Sequence, residues 1–398
     1  MRILIFSQYY FPEQFLINDI APQLQNNGNT VTVITGIPNY PLGKVPDEYR
    51  NAKRRHEVID GVEVIRCLEI PRGSKKIKIL INYLSYMFFA TIRSLPLRHY
   101  DVVYCYQLTP VMQAFPAILY KKFHHVKLLL YCLDLAPLSG EEAMSSTGIV
   151  HKCYYAFSKW VYQNCDSIGV TSESFADYLV DVNGINKKSI FYLPQHAPEM
   201  LLNKEVSSDD NDVFDFMFAG NIADGLHLET IIEAASILAD RYKFMIHMVG
   251  DGLALAKIKN LVSEKNLNNY FIFYGRKKSS EMPKYYTLAD ALLITLRKGN
   301  STLPGKLQMY MTTGKPIFGA MNGSGADVIR EADCGVCVPA EDAVSLAAAM
   351  ESFIIDPKRY ANCGENARSY FKLHFTKQAH MEKLEGELKR LSDMQAEK

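Results

Sequence analysis

Short apolar runs recur along the whole chain, and polar or amphipathic stretches separate them. The runs are rich in β-branched residues and apolar on both faces, as strands are when helices cover both sides of a parallel sheet. Helical patterns lie between the runs, so the alternation predicts a doubly wound α/β fold. In the first half of the chain the predicted strands are residues 2–7, 31–35, 62–67, 101–106, 127–132, 166–172 and 189–193.

A polar, acidic interval interrupts this alternation. Residues 199–213, EMLLNKEVSSDDNDV, are predicted to be a linker between two domains. We expect an N-terminal domain over 1–198, a second domain over 214–365, and C-terminal helices over 366–398. A return of these helices to the first domain is one arrangement that the pattern allows. The strands predicted in the second domain are residues 216–220, 244–250, 270–275, 291–295, 316–320 and 335–339.

Three of these later strands end in glycine, at Gly220, Gly250 and Gly275. In an open α/β sheet, ligands bind beyond the carboxyl ends of the strands, where glycine lets the backbone approach a phosphate. Three such glycines in successive units favour a nucleotide-binding crevice. The residues that follow them are candidates for contacts with diphosphate, ribose and base, with a plain turn or surface role as the alternative: Asn221, Asp251 and Arg276.

A second phosphate-binding pattern is STLPGKLQMYMTTGKP, residues 301–316. Pro304 suits the first position of a helix and Gly314 suits its end, so we predict a helix over 304–313. The start of this helix offers free backbone N–H groups and a partial positive charge, and Lys306 adds a full charge. These features fit a diphosphate; the alternative is a surface helix with a solvated lysine. The donor contacts predicted here are Pro304, Gly305, Lys306, Leu307 and Gln308.

Composition narrows the possible partners. The 398 residues carry a net charge of +1, so global charge gives no reason to expect a nucleic-acid partner. The eight cysteines are scattered, several of them in strand-like runs, as is typical of buried free thiols in a reducing cytoplasm. Cys334 and Cys337 form a lone CxxC without further ligands at metal-site spacing, so no metal is expected.

One segment raises the question of a membrane surface. In residues 72–98, basic residues precede an aromatic-rich apolar run that is too short and too often interrupted to span a bilayer. A helix of this kind suits an anionic membrane surface. The alternative is a helix whose apolar face belongs to the core.

Several longer motifs occur in a fixed order: QYYFPEQFLINDIA (8–21), TGIPNYPLGKV (35–45), YCLDLAP (131–137), SIFYLPQHAP (189–198), AGNIADGLHLETIIEAAS (219–236) and TLPGKLQMYMTTGKPI (302–317). Together they resemble the GT-B retaining glycosyltransferases of family four. Within that family they resemble the WbuB-like branch, which serves bacterial surface polysaccharides such as capsule and O-antigen. The resemblance extends over almost the whole chain.

The resemblance implies two Rossmann-like domains that face each other across a cleft. The C-terminal domain would bind a nucleotide-diphosphate sugar, usually UDP-linked, and the N-terminal domain would bind a polyprenyl-diphosphate-linked acceptor. A hexosyl or N-acetylhexosaminyl group would be transferred with retention, without a metal or another cofactor. The protein would be cytoplasmic and peripheral on the inner face of the plasma membrane, docked through residues 72–98.

The resemblance also suggests roles for single residues. Lys306 would stabilise the leaving diphosphate as the sugar bond breaks, and Asn221 would donate a hydrogen bond to the same diphosphate. Asp134 ends a buried strand of the first domain and would orient substrate hydroxyls, unless it only caps a helix at the next residue. Glu13 and Asn18, close to the first strand, would contact the acceptor.

The chain also departs from the family pattern. Two glutamates of the wider family align with Ser301 and Met309, so neither is present. Gln308 is a candidate for the ribose contact, although it lies one residue, about 100° of helix, from the usual glutamate. Two alternatives therefore stay open: a nucleotide-sugar 2-epimerase-like enzyme, and a non-catalytic subunit that binds a nucleotide or a partner.

Overall fold

The computed structural model describes residues 1–41, 43–73, 75–136, 148–202, 213–300 and 302–396. The chain divides into two compact units: unit 1 is Met1–Pro194 with Met381–Lys398, and unit 2 is Gln195–His380. Ser301 and most of the predicted linker, residues 203–212, lie outside the described residues.

Unit 1 is built on an eight-stranded sheet within the described residues, with the order β3-β4-β2-β1-β5-β6-β7-β8. All strand pairs except β3 with β4 are parallel, and the strand order reverses direction at β1 and β5. All of the strands predicted for the first half are confirmed. The strands are β1 (Arg2–Phe6), β2 (Thr30–Thr35), β3 (His56–Ile59), β4 (Val62–Arg66), β5 (Val102–Gln107), β6 (Lys127–Cys132), β7 (Ser167–Val170) and β8 (Ile190–Tyr192).

The sequence analysis missed β3, which forms an antiparallel hairpin with β4 at the edge of the sheet. Its side chains alternate between exposed and half-buried, so no apolar run marks it. The turn is Asp60-Gly61, and both residues have positive φ, at 48° and 81°. An Asp-Gly pair between two extended segments favours this tight turn, and it is the signal that could have revealed the hairpin.

Amphipathic helices cover the sheet of unit 1. Helix α1 buries residues at helical spacing, namely Ile17, Ile20 and Leu24, against the apolar strands. The helices before the second unit are α1 (Ile17–Asn26), α2 (Lys76–Ser94), α3 (Phe115–His124), α4 (Ile149–Gln163) and α5 (Glu173–Asp181).

Unit 2 has a six-stranded parallel sheet within the described residues, with the order β11-β10-β9-β12-β13-β14. The order reverses between β9 and β12, the kind of position where open α/β sheets bind ligands. All strands predicted for the second domain are confirmed: β9 (Phe214–Ala219), β10 (Phe244–Val249), β11 (Phe271–Gly275), β12 (Ala291–Thr295), β13 (Ile317–Ala320) and β14 (Gly335–Val338). The helices are α6 (Glu229–Leu238), α7 (Leu255–Glu264), α8 (Met282–Tyr286), α9 (Gly305–Thr313), α10 (Ser324–Glu331), α11 (Ala343–Ile355) and α12 (Cys363–His374).

The last helix, α13 (Lys377–Ala396), belongs to unit 1 from Met381 onwards. The side chains of Leu384 and Leu388 are fully buried there and pack in the same apolar cluster as α1 and the strands. The C-terminal segment therefore completes the core of unit 1.

Candidate functional site

The carboxyl ends of β9, β10 and β11 carry glycine loops that pack directly against each other. The N–H of Gly220 donates to the carbonyl of Val249 at 2.8 Å, and the N–H of Gly250 donates to the carbonyl of Gly275 at 3.0 Å. Gly250 has a φ of 152°, and a Cβ there would lie 1.8 Å from the carbonyl oxygen of Gly220. Only glycine permits so close an approach of two backbones. The three predicted glycines therefore lie side by side.

The predicted residues that follow these glycines are all exposed at the same edge of the sheet. The Oδ1 atom of Asn221 lies beside Gly252, since a Cβ on that glycine would be 2.6 Å from it. The N–H of Gly252 donates to the Oδ1 atom of Asp251 at 2.8 Å. The guanidinium of Arg276 belongs to an exposed residue just after β11. A ligand above these strand ends would meet an amide, a carboxylate and a guanidinium.

Helix α9 begins at this edge, one residue later than predicted. Pro304 has an extended backbone (φ −74°, ψ 129°) and precedes the helix, and Gly314 ends it with a φ of 75°. A Cβ on Gly305 would meet no atom within 4 Å, so the backbone is open there. Leu307, a predicted donor contact, has no free N–H, because this N–H donates to the carbonyl of Pro304 at 2.9 Å. Its side chain lies in the core.

The side chain of Lys306 crosses directly over the glycine that follows β9. A Cβ on Gly220 would lie 1.9 Å from the Cε atom of Lys306. The ammonium donates to the carbonyl of Asn221 at 3.4 Å and lies 5.0 Å from the ring centroid of Phe218. Burial lowers the pKa of Lys306 to about 8, and no carboxylate pairs with it in the described part of the chain. An anion at this place would compensate the cost of burying the charge.

A buried tyrosine fixes α9 to the sheet next to this lysine. The hydroxyl of Tyr310 accepts a hydrogen bond from the N–H of Ala219 at 2.7 Å and donates one to its carbonyl at 3.1 Å. Gln308 is also buried, and its Nε2 atom donates to the carbonyl of Gln195 at 2.7 Å. The residue predicted to contact ribose thus holds a neighbouring backbone segment. Met309 packs at the edge of the core.

In unit 1, Asp134 holds the turn that follows β5. Its Oδ2 atom accepts hydrogen bonds from the N–H of Thr109 at 2.9 Å and from the hydroxyl of Thr109 at 3.0 Å. Its backbone carbonyl accepts one from the Nε2 atom of Gln107 at 2.9 Å. Asp134 therefore joins the carboxyl ends of β5 and β6, where the strand order predicts a ligand site. The residues 137–147 that follow lie outside the described residues.

Glu13 and Asn18, which are predicted together with Asp134 to bind the acceptor, lie next to each other. The Oε1 atom of Glu13 accepts from the N–H groups of Asn39 at 2.7 Å and Tyr40 at 2.5 Å, and burial raises the pKa of this carboxyl. The backbone carbonyl of Glu13 accepts from the Nδ2 atom of Asn18 at 2.6 Å. Glu13 therefore anchors the loop after β2. Asn18 lines a shallow surface depression together with Gln14.

Residues 202–370 match the family profile of Glycosyl transferases group 1. The matched segment lies within unit 2. It is also 23% identical over 385 residues to WcaI of Escherichia coli (strain K12), named as a colanic acid biosynthesis glycosyl transferase, with 90% of this chain and 93% of that protein covered.

Solved structures match the fold over nearly the whole chain. Alr3699/HepE from Anabaena, crystallised with UDP, has a TM-score of 0.71 at 12% identity, covering 98% of this chain and 99% of that one. WaaG, a glycosyltransferase involved in lipopolysaccharide biosynthesis, has a TM-score of 0.64 at 15% identity, covering 98% and 99%. Both are GT-B structures, so the predicted GT-B fold with two Rossmann-like units is confirmed.

Unit 1 contains a buried polar cluster that the sequence analysis missed. The Oε1 atom of Glu69 accepts from the Nε2 atom of Gln8 at 2.8 Å and from the Nδ2 atom of Asn82 at 2.5 Å. Burial raises the pKa of Glu69 to about 8, so the neutral acid is favoured at pH 7. The sequence did contain a sign of this buried cluster. Asn82 and Ser85 interrupt the apolar run because they face the core.

Helix α2 therefore turns Asn82 and Ser85 inward together with the core residues Tyr86 and Ala90, while several large apolar side chains face outward. The lysines at its start, Lys75, Lys76 and Lys78, are exposed. None of the described helices is both long and apolar enough to cross a bilayer. The exposed apolar residues follow one helical face, here named the α2 stripe: Ile77, Leu80, Ile81, Leu84, Phe88 and Ile92.

The close contact between Gly220 and Gly250 in unit 2 predicts an effect on stability. Gly250→Ala should lower the free energy of unfolding of unit 2 by about 2–4 kcal/mol, because the new Cβ combines a clash with a strained φ. The measurement is urea unfolding followed by circular dichroism. The matched control is Gly225→Ala, where a Cβ meets no atom within 4 Å. Equal unfolding midpoints for the two variants would contradict the packing described.

Proposed function

We propose that the protein is a retaining glycosyltransferase of the WbuB-like branch. It moves a sugar from a UDP-sugar to a lipid-diphosphate-linked acceptor during synthesis of a bacterial surface polysaccharide. One observation carries this proposal. Lys306 lies half-buried at the start of α9, beside the glycine loops, and no carboxylate of the described residues pairs with it. The names of WcaI and WaaG and the UDP held by HepE support it.

The donor diphosphate is proposed to lie at the start of α9. The backbone amides of Gly305 and Lys306 point out of the helix start, where the helix dipole favours an anion. As the sugar bond breaks, negative charge grows on the leaving phosphate, and the Lys306 ammonium stabilises it. These groups supply the charge that a divalent metal supplies elsewhere, so the reaction is proposed to be metal-independent. The exposed amide of Asn221 donates to the same diphosphate.

The remaining contacts with the donor and the acceptor are assigned from the positions of the residues in the fold. Asp251 and Arg276, at the ends of β10 and β11, are proposed to meet the ribose and the base. Asp134, at the end of β6, is proposed to orient substrate hydroxyls, because its carboxylate is half-buried and held by Thr109. Glu13 acts on the acceptor through the loop that it anchors, whereas Asn18 lies at the surface depression and contacts the acceptor itself.

The α2 stripe is proposed to dock the protein on the inner face of the plasma membrane. Six exposed aliphatic and aromatic side chains on one helical face form an apolar surface that water solvates poorly. The exposed lysines at the start of α2 add attraction to anionic headgroups. A cytoplasmic, peripheral location follows, which suits an acceptor anchored in that leaflet.

The role of Lys306 predicts a pH-dependent affinity for UDP. Above pH 7 the phosphates of UDP are fully ionised, since the last ionisation of a phosphate monoester lies near pH 6. Bound UDP favours the charged ammonium, so affinity should be full below pH 8 and fall as the pH rises through about 8. Lys306→Met should lose roughly ten- to a hundredfold in affinity and show no such pH dependence.

Isothermal titration calorimetry with UDP at pH 7.0 to 9.5 measures both effects. The control is Lys265→Met, which removes an exposed lysine at the far end of α7. If Lys306→Met binds UDP as tightly as the unaltered protein, the diphosphate does not lie at this helix.

The reaction class is tested with a panel of UDP-sugars and a polyprenyl-diphosphate-linked sugar in detergent. We expect UDP to be released only when the acceptor is present, and the lipid to gain one sugar by mass spectrometry. Conversion of the UDP-sugar without acceptor would instead identify a 2-epimerase-like enzyme. Binding of UDP without any turnover across the panel would favour the non-catalytic subunit.

Membrane docking is tested by sedimentation with vesicles of phosphatidylglycerol and phosphatidylcholine. Leu84→Ser with Phe88→Ser should lower the bound fraction at least about tenfold, because two exposed apolar side chains no longer enter the interface. Val344→Ser with Ile355→Ser, at exposed positions of α11, is the matched control. Equal binding of both double variants would contradict docking through α2.

A further inference from the structure

Arg72, four residues before α2, is a half-buried cation held among tyrosines. Its Nη1 atom donates to the hydroxyl of Tyr9 at 3.3 Å and to the hydroxyl of Tyr83 at 3.1 Å. Its Cζ atom lies 5.4 Å from the ring centroid of Tyr40 and 5.6 Å from that of Tyr83. Across the described ranges of the chain, no carboxylate forms an ion pair with Arg72. Among the described residues, the charge of the guanidinium therefore has no paired counter-charge.

The backbone around Arg72 is fixed by the loop after β2. The N–H of Arg72 donates to the Oδ1 atom of Asn39 at 2.8 Å. Gly43 passes over the Arg72 carbonyl so closely that a Cβ there would lie 1.7 Å from the oxygen. Glu13 in turn anchors this loop through the N–H groups of Asn39 and Tyr40. The guanidinium is thus held in place in advance, which limits the entropy lost when it binds an anion.

Aromatic rings form one wall beside the guanidinium. Tyr9 and Phe15 stack with centroids 5.4 Å apart, and Tyr40 lies 5.0 Å from Tyr9 and 5.4 Å from Phe15. Tyr9 is only 2% exposed, whereas Tyr40 is 42% exposed. The wall therefore offers the ring of Tyr40 to a ligand that meets Arg72, and such a ring packs well against the apolar face of a sugar.

The same group adjoins the α2 stripe. Lys78 folds back along Gly73, where a Cβ would lie 2.5 Å from the Cδ atom of Lys78. A second cation therefore lies next to the Arg72 segment. Tyr83 belongs to α2 and lies three residues, about one helical turn, after Leu80 of the exposed stripe. A ligand with an anionic head and an apolar tail would find both complementary surfaces on one side of unit 1.

We propose that Arg72, with Tyr9, Tyr40 and Tyr83, binds the diphosphate of a lipid-linked acceptor. The phosphate oxygens accept from the guanidinium, the lipid tail lies along the α2 stripe, and the first sugar packs on Tyr40. Arginine suits this role because its planar fork of donors matches phosphate geometry. The proposal rests on the proposed function, because it assigns the acceptor end of the same reaction.

The test uses the full-length protein and farnesyl diphosphate in phosphatidylcholine vesicles, with binding measured by calorimetry. Parallel titrations use farnesyl monophosphate, inorganic pyrophosphate, and phosphatidylglycerol vesicles without the diphosphate. We expect farnesyl diphosphate to bind about tenfold more tightly than each of these, and Arg72→Gln to lose about tenfold in affinity for it. Arg72→Lys should recover only part of the loss, since an ammonium lacks the fork.

The matched control is Arg93→Gln, which removes an exposed cation in the last turn of α2 and should leave binding unchanged. Equal losses in both variants, or none in Arg72→Gln, would overturn the proposal. Equal affinity for pyrophosphate would reassign the site to a free anion, and equal affinity for phosphatidylglycerol would reassign it to a lipid headgroup.

UDP binding by each variant is measured in the same samples. Unaltered UDP affinity shows that Arg72→Gln is folded, so that lost diphosphate binding then supports the proposal. If the unaltered protein binds farnesyl diphosphate but not UDP, the proposed transferase fails while the anion site stands. If it binds UDP but not farnesyl diphosphate, the Arg72 site alone fails.

Discussion

The close passage of Lys306 over Gly220 is the contact on which the candidate donor site depends. The lysine stem occupies the space where any side chain on Gly220 would lie, and the carbonyl of Gly220 in turn touches Gly250. Tyr310 bonds to both backbone groups of Ala219 and so holds α9 at the end of β9. Two glycines and one tyrosine thus place a charged group at the start of a helix. Burial lowers the pKa of the Lys306 ammonium, and a bound anion would raise this pKa again.

In unit 1, helix α2 places polar residues in the core and large apolar residues at the surface. This helix turns asparagine and serine inward, where Asn82 bonds to the buried Glu69, and exposes the six large apolar residues of the α2 stripe. Burying polar groups costs free energy unless they are hydrogen-bonded, and this cluster meets that condition at the Oε1 atom of Glu69. As a result, the outer face of α2 presents an apolar surface beside Arg72. The stability of unit 1 and its proposed affinity for a lipid-linked ligand therefore depend on the same helix.

The sequence predicted the strands of both sheets well, because buried parallel strands are continuous apolar runs. It failed at β3, where an exposed edge strand has no such run, and the Asp60-Gly61 turn was the remaining signal. The charged end of α9 was predictable from Pro304, Lys306 and Gly314, since each acts through local backbone geometry. The Arg72 group was not, because its tyrosines come from three separate segments that only the fold brings together.

In the proposed donor site, the start of α9 and Lys306 hold the diphosphate of the donor. A crystal structure of the protein with UDP would show where the diphosphate lies. We expect phosphate oxygens within hydrogen-bond distance of the Lys306 ammonium and of the backbone amides of Gly305 and Lys306. A structure in which the diphosphate lies elsewhere, with Lys306 still bonded to the carbonyl of Asn221, would contradict it.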